Sequence, residues 1–351
     1  MVGPFATLGG QMSQQTAPLR VSILAIPEAQ VTPLSGLFEV LSSFGLLSAL
    51  EPGVPAKPFE VEIVAPQDAP SRGASGLPIA ADRSITEVDR TDIAIVPLMM
   101  FAGGDWKTGR YPQVVDWLQR MHRSGATLCS TCTGVLLLAE TGLLDGREAT
   151  IHWAFAPTFQ RNFPNVGLRV EEVLIAAGNP ERFVMTGGVM SWHDLALHLI
   201  ARYVSSSAAQ SMARLMLLDW HSEGQAPYIG FLPATDHDDA MVRDLQKWLE
   251  AHFAIGNPIE EMALRCGMSS RSLERRFMKA AGLAPLAYVQ NLRIEAAKRH
   301  LERTSKPIDE ISYEVGYENP AFFRRVFKRN VRMTPSVYRR KFLIPSAPQS
   351  R

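Results

Sequence analysis

Two stretches of this chain repeat one pattern, and no other feature restricts its fold so tightly. In the first, IEEMALRCGMSSRSLERRF, the apolar residues Ile259, Met262, Ala263 and Cys266 fall on one helical face. Gly267 follows, where a residue at positive φ can end a helix without a Cβ penalty. Ser269 or Ser270 can cap the next helix through its hydroxyl. Leu273 and Phe277 are four apart and face inward, which leaves Arg271, Glu274, Arg275 and Lys279 outside. The second stretch, IDEISYEVGYENPAFFRRVFKRN, follows the same plan. Ile308, Ile311 and Val315 form the apolar face, Gly316 makes the turn, and Glu318 and Asn319 open a helix whose first turn accepts Pro320. Phe323 and Phe327 face inward; Arg324, Arg325, Lys328 and Arg329 line the other side. Between the two, Pro285 starts a strong helix of roughly 19 residues, about 28 Å long at 1.5 Å per residue. Such a rod can set two recognition helices about one DNA turn (~34 Å) apart.

The charge distribution agrees with that reading. Residues 236–351 carry 21 Lys and Arg against 14 Asp and Glu, a net +7, which leaves −6 for the rest of the 351-residue chain. The basic part suits a phosphate-binding surface and the acidic part is repelled by one. A solvated basic face on a plain helical bundle explains one charge run, but not two matched units with a helical connector. Length predicts two domains. The apolar run VSILAI is far too short to span a bilayer, and three cysteines without a secretory signal predict the reducing cytoplasm and no membrane partner.

Strand and helix patterns alternate through the first part, which predicts an α/β layered domain with a mainly parallel sheet. RVSILAI, PFEVEIVAP, DIAIVPL, ATLCST, RVEEVLIAAG and RFVMTGG read as strands. Residues 34–50, 111–124, TGVLLLAETGLL, SWHDLALHLIARYV and AAQSMARLMLLDW read as helices, and QDAPSRGASGLPIAADRSIT as loop with short extended pieces. The expected organisation is a disordered tail over 1–18, an α/β domain over 19–220, a linker over 221–238, a DNA-binding domain over 239–342 and a tail over 343–351.

Within GATLCSTCTGVLLLAETGLLDGREATIHW, a β-branched strand stops at Thr131, Cys132 sits on the turn, and Gly134 permits close packing before a helix starts. That is nucleophile-elbow geometry, which aims a helix N-terminus at the thiol and predicts a depressed thiol pKa. His152 is the candidate partner. Cys129 and Cys132 form a CxxC, read as one buried residue and one elbow cysteine rather than a redox pair. His193, His198, His221 and His237 are scattered, and no His/Cys/Asp set has metal-ligand spacing. Met212, Met216, Leu217 and Leu218 read as a packing stripe or dimer seam.

On the second repeated stretch, continued as NVRMTPSVYRR, the C-terminal third resembles the DNA-binding domain of AraC/XylS-type transcription regulators. It departs from that pattern where a glycine ordinarily precedes the TP pair; here the run is Val331-Arg332-Met333-Thr334-Pro335. On CTG at Cys132–Gly134, LLLAETGLLDGREATIHW and TGGVMSWHDLALHLIARY, the first part resembles the DJ-1/PfpI superfamily, with its class-I glutamine amidotransferase-like, flavodoxin-like sandwich. More specifically it resembles the GlxA-type branch, which is joined to AraC-type domains. The resemblance implies a sequence-specific transcription regulator bound to double-stranded DNA. Ser269, Arg271, Glu274 and Arg275 lie at the interface of the first unit, and Asn319, Ala321, Arg324 and Arg325 at that of the second, with Lys328, Arg329 and Arg339 on phosphates. It further implies a homodimer, a small effector of the nitrogenous-metabolite class, and RNA polymerase as partner if the protein activates. Enzymes of the superfamily place an acid near the first strand–helix turn. Here that position falls on Pro33, with Glu28 five residues upstream. Thr133 stands where the superfamily's proteases have histidine, and the loop LMMFAGGDW is altered. A pocket of Cys132, Thr133 and His152 is therefore expected to bind rather than catalyse, with no cofactor and no metal. The competing reading is a Cys132/His152 hydrolase or hydratase.

Overall fold

The computed structural model describes residues 17–66, 71–101 and 105–343. Most of the expected tails (1–16 and 344–351) and parts of two expected loops (67–70 and 102–104) lie outside the described residues. The chain forms two compact units, Met1–Gln225 and Ala226–Arg351.

In the first unit the strands are β1 (Leu19–Leu24), β2 (Phe59–Ala65), β3 (Ser71–Arg72), β4 (Pro78–Ile79), β5 (Arg83–Ser84), β6 (Ile93–Val96), β7 (Thr127–Thr131), β8 (Glu148–Ala149), β9 (Gly167–Leu168), β10 (Leu174–Ala177) and β11 (Phe183–Thr186). Seven of them form one sheet in the order β10-β11-β7-β6-β1-β2-β5. Every pairing in it is parallel except β10 with β11. The residues of β6, β7 and β11 are all buried, as central strands must be when helices cover both faces of a parallel sheet. One face carries α3 (Pro112–Arg123), α4 (Val135–Glu140) and α5 (Ala156–Asn162) over Trp117, Leu136 and Phe159. The other carries α1 (Val31–Ser42), α2 (Phe44–Leu50), α6 (Trp192–Tyr203) and α7 (Ser206–Met216) over Leu37, Phe44, Leu195 and Met212. The expected α/β sandwich is present, and its strand order reverses between β1 and β6. The crevice beyond the carboxyl ends of such a pair is where open α/β sheets bind ligands.

One local expectation fails for a tertiary reason. The single helix over 34–50 is two helices bent by 40° at Ser43. The Ser43 hydroxyl donates back to the Glu39 carbonyl (2.6 Å), and Phe44 turns into the core. Together α1 and α2 are apolar enough to mimic a membrane span, but Leu34, Leu37, Val40, Leu41, Phe44 and Leu47 are core residues. Among the described residues no single helix is long and apolar enough to cross a membrane.

The second unit contains α8 (Ala240–His252), α9 (Pro258–Arg265), α10 (Ser270–Ala281), α11 (Pro285–Arg303), α12 (Ile308–Glu314), α13 (Pro320–Val331) and α14 (Pro335–Phe342). The connector α11 has the expected start and is 19 residues long. Its first half puts Tyr288 and Val289 into a core with Val242, Leu249, Met262, Leu273 and Phe277. Its second half puts Ile294, Ala297 and Leu301 into a core with Ile311, Val315, Phe323 and Phe327. One rod thus belongs to both helix-turn-helix units. Arg293 reinforces the join: its guanidinium donates to the Phe253 and Ile255 carbonyls (both 2.8 Å) and lies over the Tyr317 ring.

The segment expected as a linker, 221–238, is pinned at both ends. Gln225 closes the first unit: its amide donates to the Glu171 carbonyl (2.9 Å) and its side chain to the Val170 carbonyl (2.9 Å). In the second unit the Ile229 carbonyl accepts from Lys298 (2.6 Å), and Phe231 packs edge-on to Tyr288.

The departure from the G-x-TP pattern has a structural counterpart. The helix end after α10 is Gly282 at φ 70°, and after α13 the same left-handed position is held by Arg332 at φ 59°. A non-glycine residue there costs about 1–2 kcal/mol. Arg332→Gly is therefore expected to raise the stability of the second unit by up to about 1 kcal/mol, net of the contacts the arginine side chain makes. A thermal melt that shifts downward for this variant refutes the assignment.

Candidate nucleic-acid interface and cysteine elbow

The recognition-helix pattern resolves into a buried and an exposed face on both α10 and α13. Leu273, Phe277 and Ala281 are buried on α10, while Arg271, Glu274, Arg275, Met278 and Lys279 are exposed. On α13, Phe323, Val326 and Phe327 are buried and Ala321, Phe322, Arg324, Arg325, Lys328 and Arg329 are exposed. Ser269 and Asn319 occupy equivalent N-caps. The Ser269 hydroxyl accepts from the Ser272 amide (3.3 Å), and the Asn319 Oδ1 accepts from the Phe322 amide (3.0 Å). Each cap oxygen is therefore committed to starting its helix.

The exposed cations are not equivalent. Arg324 is tethered to Asp309 on α12, and Arg329 reaches Gln290 on α11 (3.3 Å). Arg325 lies over the Phe322 ring. Arg276, next to the expected Arg275, is half-buried and paired with Asp239 at the start of α8 (2.7 Å). Arg339, expected at a phosphate, instead donates to the Lys306 carbonyl (2.6 Å) and ties α14 to the loop before α12. Its basic sequence neighbours conceal that structural role.

The elbow is built as the sequence implies. Cys132 has φ 52° and opens a 3₁₀ turn, Cys132–Gly134, that runs into α4. A Cβ at Gly134 would sit against the Val96 carbonyl and 2.7 Å from that of Pro97, so only glycine lets the turn lie on the end of β6. Two threonines latch the next loop to it. The Thr131 hydroxyl accepts from the Leu98 amide (2.8 Å), and the Thr133 hydroxyl accepts from the Met99 amide (2.9 Å) while donating to the Met99 carbonyl (2.5 Å).

The chemistry expected of that elbow is not what forms. Cys132 is fully buried, and burial pushes its thiol up to about 12, against the smaller opposing effects of hydrogen bonds from Thr133 and from the backbone of His152. The expected depression fails because α4 is only six residues long and desolvation outweighs its N-terminal field. His152 approaches through its backbone; its imidazole Nδ1 accepts from the Ala154 amide (3.2 Å) and its ring stacks on Trp153. Burial lowers the imidazole pKa. Pro33 is buried in α1. Glu28 is engaged elsewhere, accepting from the Arg110 guanidinium and the Tyr111 hydroxyl. Cys129 is buried within β7, its thiol also pushed up to about 12, and both cysteines are free thiols.

These observations give a direct expectation. At pH 8 a pKa of about 12 leaves the Cys132 thiolate about 10³-fold scarcer than in the unfolded chain. Iodoacetamide should therefore label residue 132 slowly in the native protein and rapidly in denaturant, as read by peptide mass spectrometry; rapid native labelling would contradict the burial. The same shift sets a pH limit. A neutral thiol favoured in the folded state stabilises it below the unfolded thiol's pKa, and that contribution is lost as pH rises from about 9 towards about 12.

Sequence reasoning missed the Glu28–Arg110–Tyr111 set, in which Glu28 lies more than 80 residues from the adjacent pair Arg110 and Tyr111. It also missed His193, Asp194 and His221, which the fold brings within 4.8 Å. In both cases the chain's spacing carries no signal.

Known proteins resolve the two units separately. Residues 20–190 match the DJ-1/PfpI family and residues 262–341 match the helix-turn-helix domain family. The HTH-type transcriptional regulator CdhR of Pseudomonas aeruginosa is 28% identical over 311 residues, 84% of this chain and 87% of the relative. The HTH-type transcriptional regulator GlxA of Rhizobium meliloti is 31% identical over 229 residues, 64% of this chain and 68% of the relative. The HTH-type transcriptional regulator GbdR of P. aeruginosa is 26% identical over 222 residues, 63% of this chain and 59% of the relative. With one relative above 30% identity across two thirds of its length, and with the two exposed basic helices inside the matched domain, the chain belongs to the GlxA-type family of DNA-binding transcription regulators, in which a DJ-1/PfpI domain precedes an AraC-type helix-turn-helix domain.

Proposed function

We propose that the first unit is a non-catalytic receiver for a small metabolite and that its occupancy controls DNA binding by the second. The observation that carries this reading is the sealed elbow: Cys132 is fully buried, its thiol is held neutral, and the imidazole offered as its base is turned to the Ala154 amide. A nucleophile in that state is silent at neutral pH, whereas the crevice between β1 and β6 keeps the location at which α/β sheets bind ligands. The Glu28, Arg110 and Tyr111 side chains offer polar contacts beside it. A cytoplasmic homodimer on repeated half-sites, with RNA polymerase as partner during activation, completes the proposal.

In the second unit, Arg271, Glu274 and Arg275 on α10 and Ala321, Arg324 and Arg325 on α13 face base edges. Lys328 and Arg329 face phosphates, and Ser269 and Asn319 set the helix starts. In vitro selection of binding sites tests this. Arg275→Ala is expected to relax preference at one base pair by about 1–3 kcal/mol, the value of a bidentate arginine–guanine contact. Equal loss on all sequences would move Arg275 to the backbone-positioning class. For the receiver, Cys132→Ala is expected to leave operator affinity unchanged. A turnover abolished by that substitution would restore the enzyme reading.

A further inference from the structure

We propose that His193, Asp194 and His221 form a binding site for one divalent transition-metal ion of the zinc class. All three residues lie in the first unit. His193 and Asp194 stand in the first turn of α6, and His221 comes from the strap that follows α7. Asp194 is 2% exposed, and the polar company of its carboxylate is histidine. Its Oδ1 accepts from the His221 amide (3.0 Å), its Oδ2 is 2.7 Å from His221 Nδ1, and the same oxygen is 3.7 Å from His193 Nε2. The two imidazole rings are 5.1 Å apart and inclined by 32°, so both present a ring nitrogen to one side of the carboxylate.

The chemistry of this donor set selects the ion. One carboxylate oxygen and two imidazole nitrogens suit zinc and its first-row neighbours, whereas Mg²⁺ and Ca²⁺ require oxygen cages. Around a tetrahedral ion with bonds near 2.0–2.1 Å, ligand atoms stand about 3.3 Å apart. The distances of 2.7 and 3.7 Å bracket that value, and all three donor atoms lie within 4.8 Å of one another. Side-chain rotations therefore suffice to close the site. His193 Nε2 has to leave the Asp219 carbonyl, 2.9 Å away, to become a ligand. The His221 side chain is 23% exposed, which leaves an approach for the ion and a fourth position for water. The consequence is mechanical. An ion here fastens His221 to α6 in place of the bond between His193 and the Asp219 carbonyl, and this strap runs on to Gln225, the last residue of the first unit.

The test uses the full-length protein, reduced and stripped with chelator. Titration with Zn²⁺ is expected to show one ion per chain, with no comparable uptake of Mg²⁺ or Ca²⁺. His221→Gln and Asp194→Asn are each expected to weaken binding at least tenfold. Co²⁺ serves as a spectroscopic probe on the unaltered chain and is expected to give the visible bands of a nitrogen–oxygen site without a thiolate charge-transfer band. That measurement keeps the proposal testable if replacing buried Asp194 impairs folding. Absence of Zn²⁺ uptake, uptake unchanged in His221→Gln, equal uptake of Mg²⁺, or a thiolate band each overturns it. None of these outcomes depends on the effector or on operator binding, so this site can fail while the receiver reading stands.

Discussion

Gly316→Ala is expected to disable DNA binding, while the parallel change Gly267→Ala leaves it nearly intact. The two glycines occupy the same turn in the two helix-turn-helix units, and both have positive φ, 89° and 60°. A methyl group at either pays the left-handed penalty of about 1–2 kcal/mol. Their surroundings differ. A Cβ at Gly267 meets nothing within 4 Å, but a Cβ at Gly316 would lie 2.5 Å from the Ala254 carbonyl oxygen and 2.7 Å from its Cα. Those atoms are backbone, held in place because the adjoining Phe253 and Ile255 carbonyls accept from Arg293. The clash therefore cannot relax by turning a side chain. Overpacking of this kind adds about 1–3 kcal/mol, so the total reaches about 2–5 kcal/mol, a large share of the stability of a small domain. A circular-dichroism melt should show the second unit's transition lowered by more than about 10 °C in Gly316→Ala and by less than that in Gly267→Ala. Equal shifts in the two variants would show that the Ala254 contact is not a constraint.

That asymmetry marks the boundary of what the sequence discloses. Both turns are visible as a glycine after an apolar stripe, but nothing local says that one packs against Ala254 and the other faces open space. The legible features are those set by near neighbours in the chain. Pro285 opens α11 because proline suits a first helical turn, and the apolar runs of β6 and β11 are explained by burial on both faces. The inward Phe277 and Phe323 follow from helical period. The sites are less legible, because partners from distant segments decide them. At Cys132 the backbone was readable from CTG, whereas the thiol's state was not: a local rule predicts a lowered pKa, and enclosure by the whole first unit reverses it. Arg339 reads as one more cation in a basic tail until the Lys306 carbonyl is seen to hold it. His221 and Asp194 are 27 residues apart and become neighbours only when α7 and its strap fold back on α6.

The affinity of the intact protein for its operator is expected to fall about 10³-fold between 50 and 200 mM salt. The exposed faces of α10 and α13 together present Arg271, Arg275, Lys279, Arg324, Arg325, Lys328 and Arg329. Arg324 is shared with Asp309, so about six full cations meet the duplex, which gives a slope of log affinity against log salt near −5. The acidic first unit does not add to this slope, because counterions are released only where cations enter the field of the phosphates, as base-edge arginines in the groove do along with phosphate-bound lysines. Individual residues then separate by their effect on it. Lys328→Ala should flatten the slope by about one and weaken all sequences alike, as a phosphate contact does. Arg325→Ala should cost more on the preferred site than on random DNA, because a base-edge contact carries discrimination as well as charge. Asp309→Asn provides the reverse test: releasing Arg324 from its tether should steepen the slope. A slope near −2 in the intact protein would mean that only one of the two helices reaches the backbone, and the shared rod α11 would then have to be set at an angle that lifts the other away.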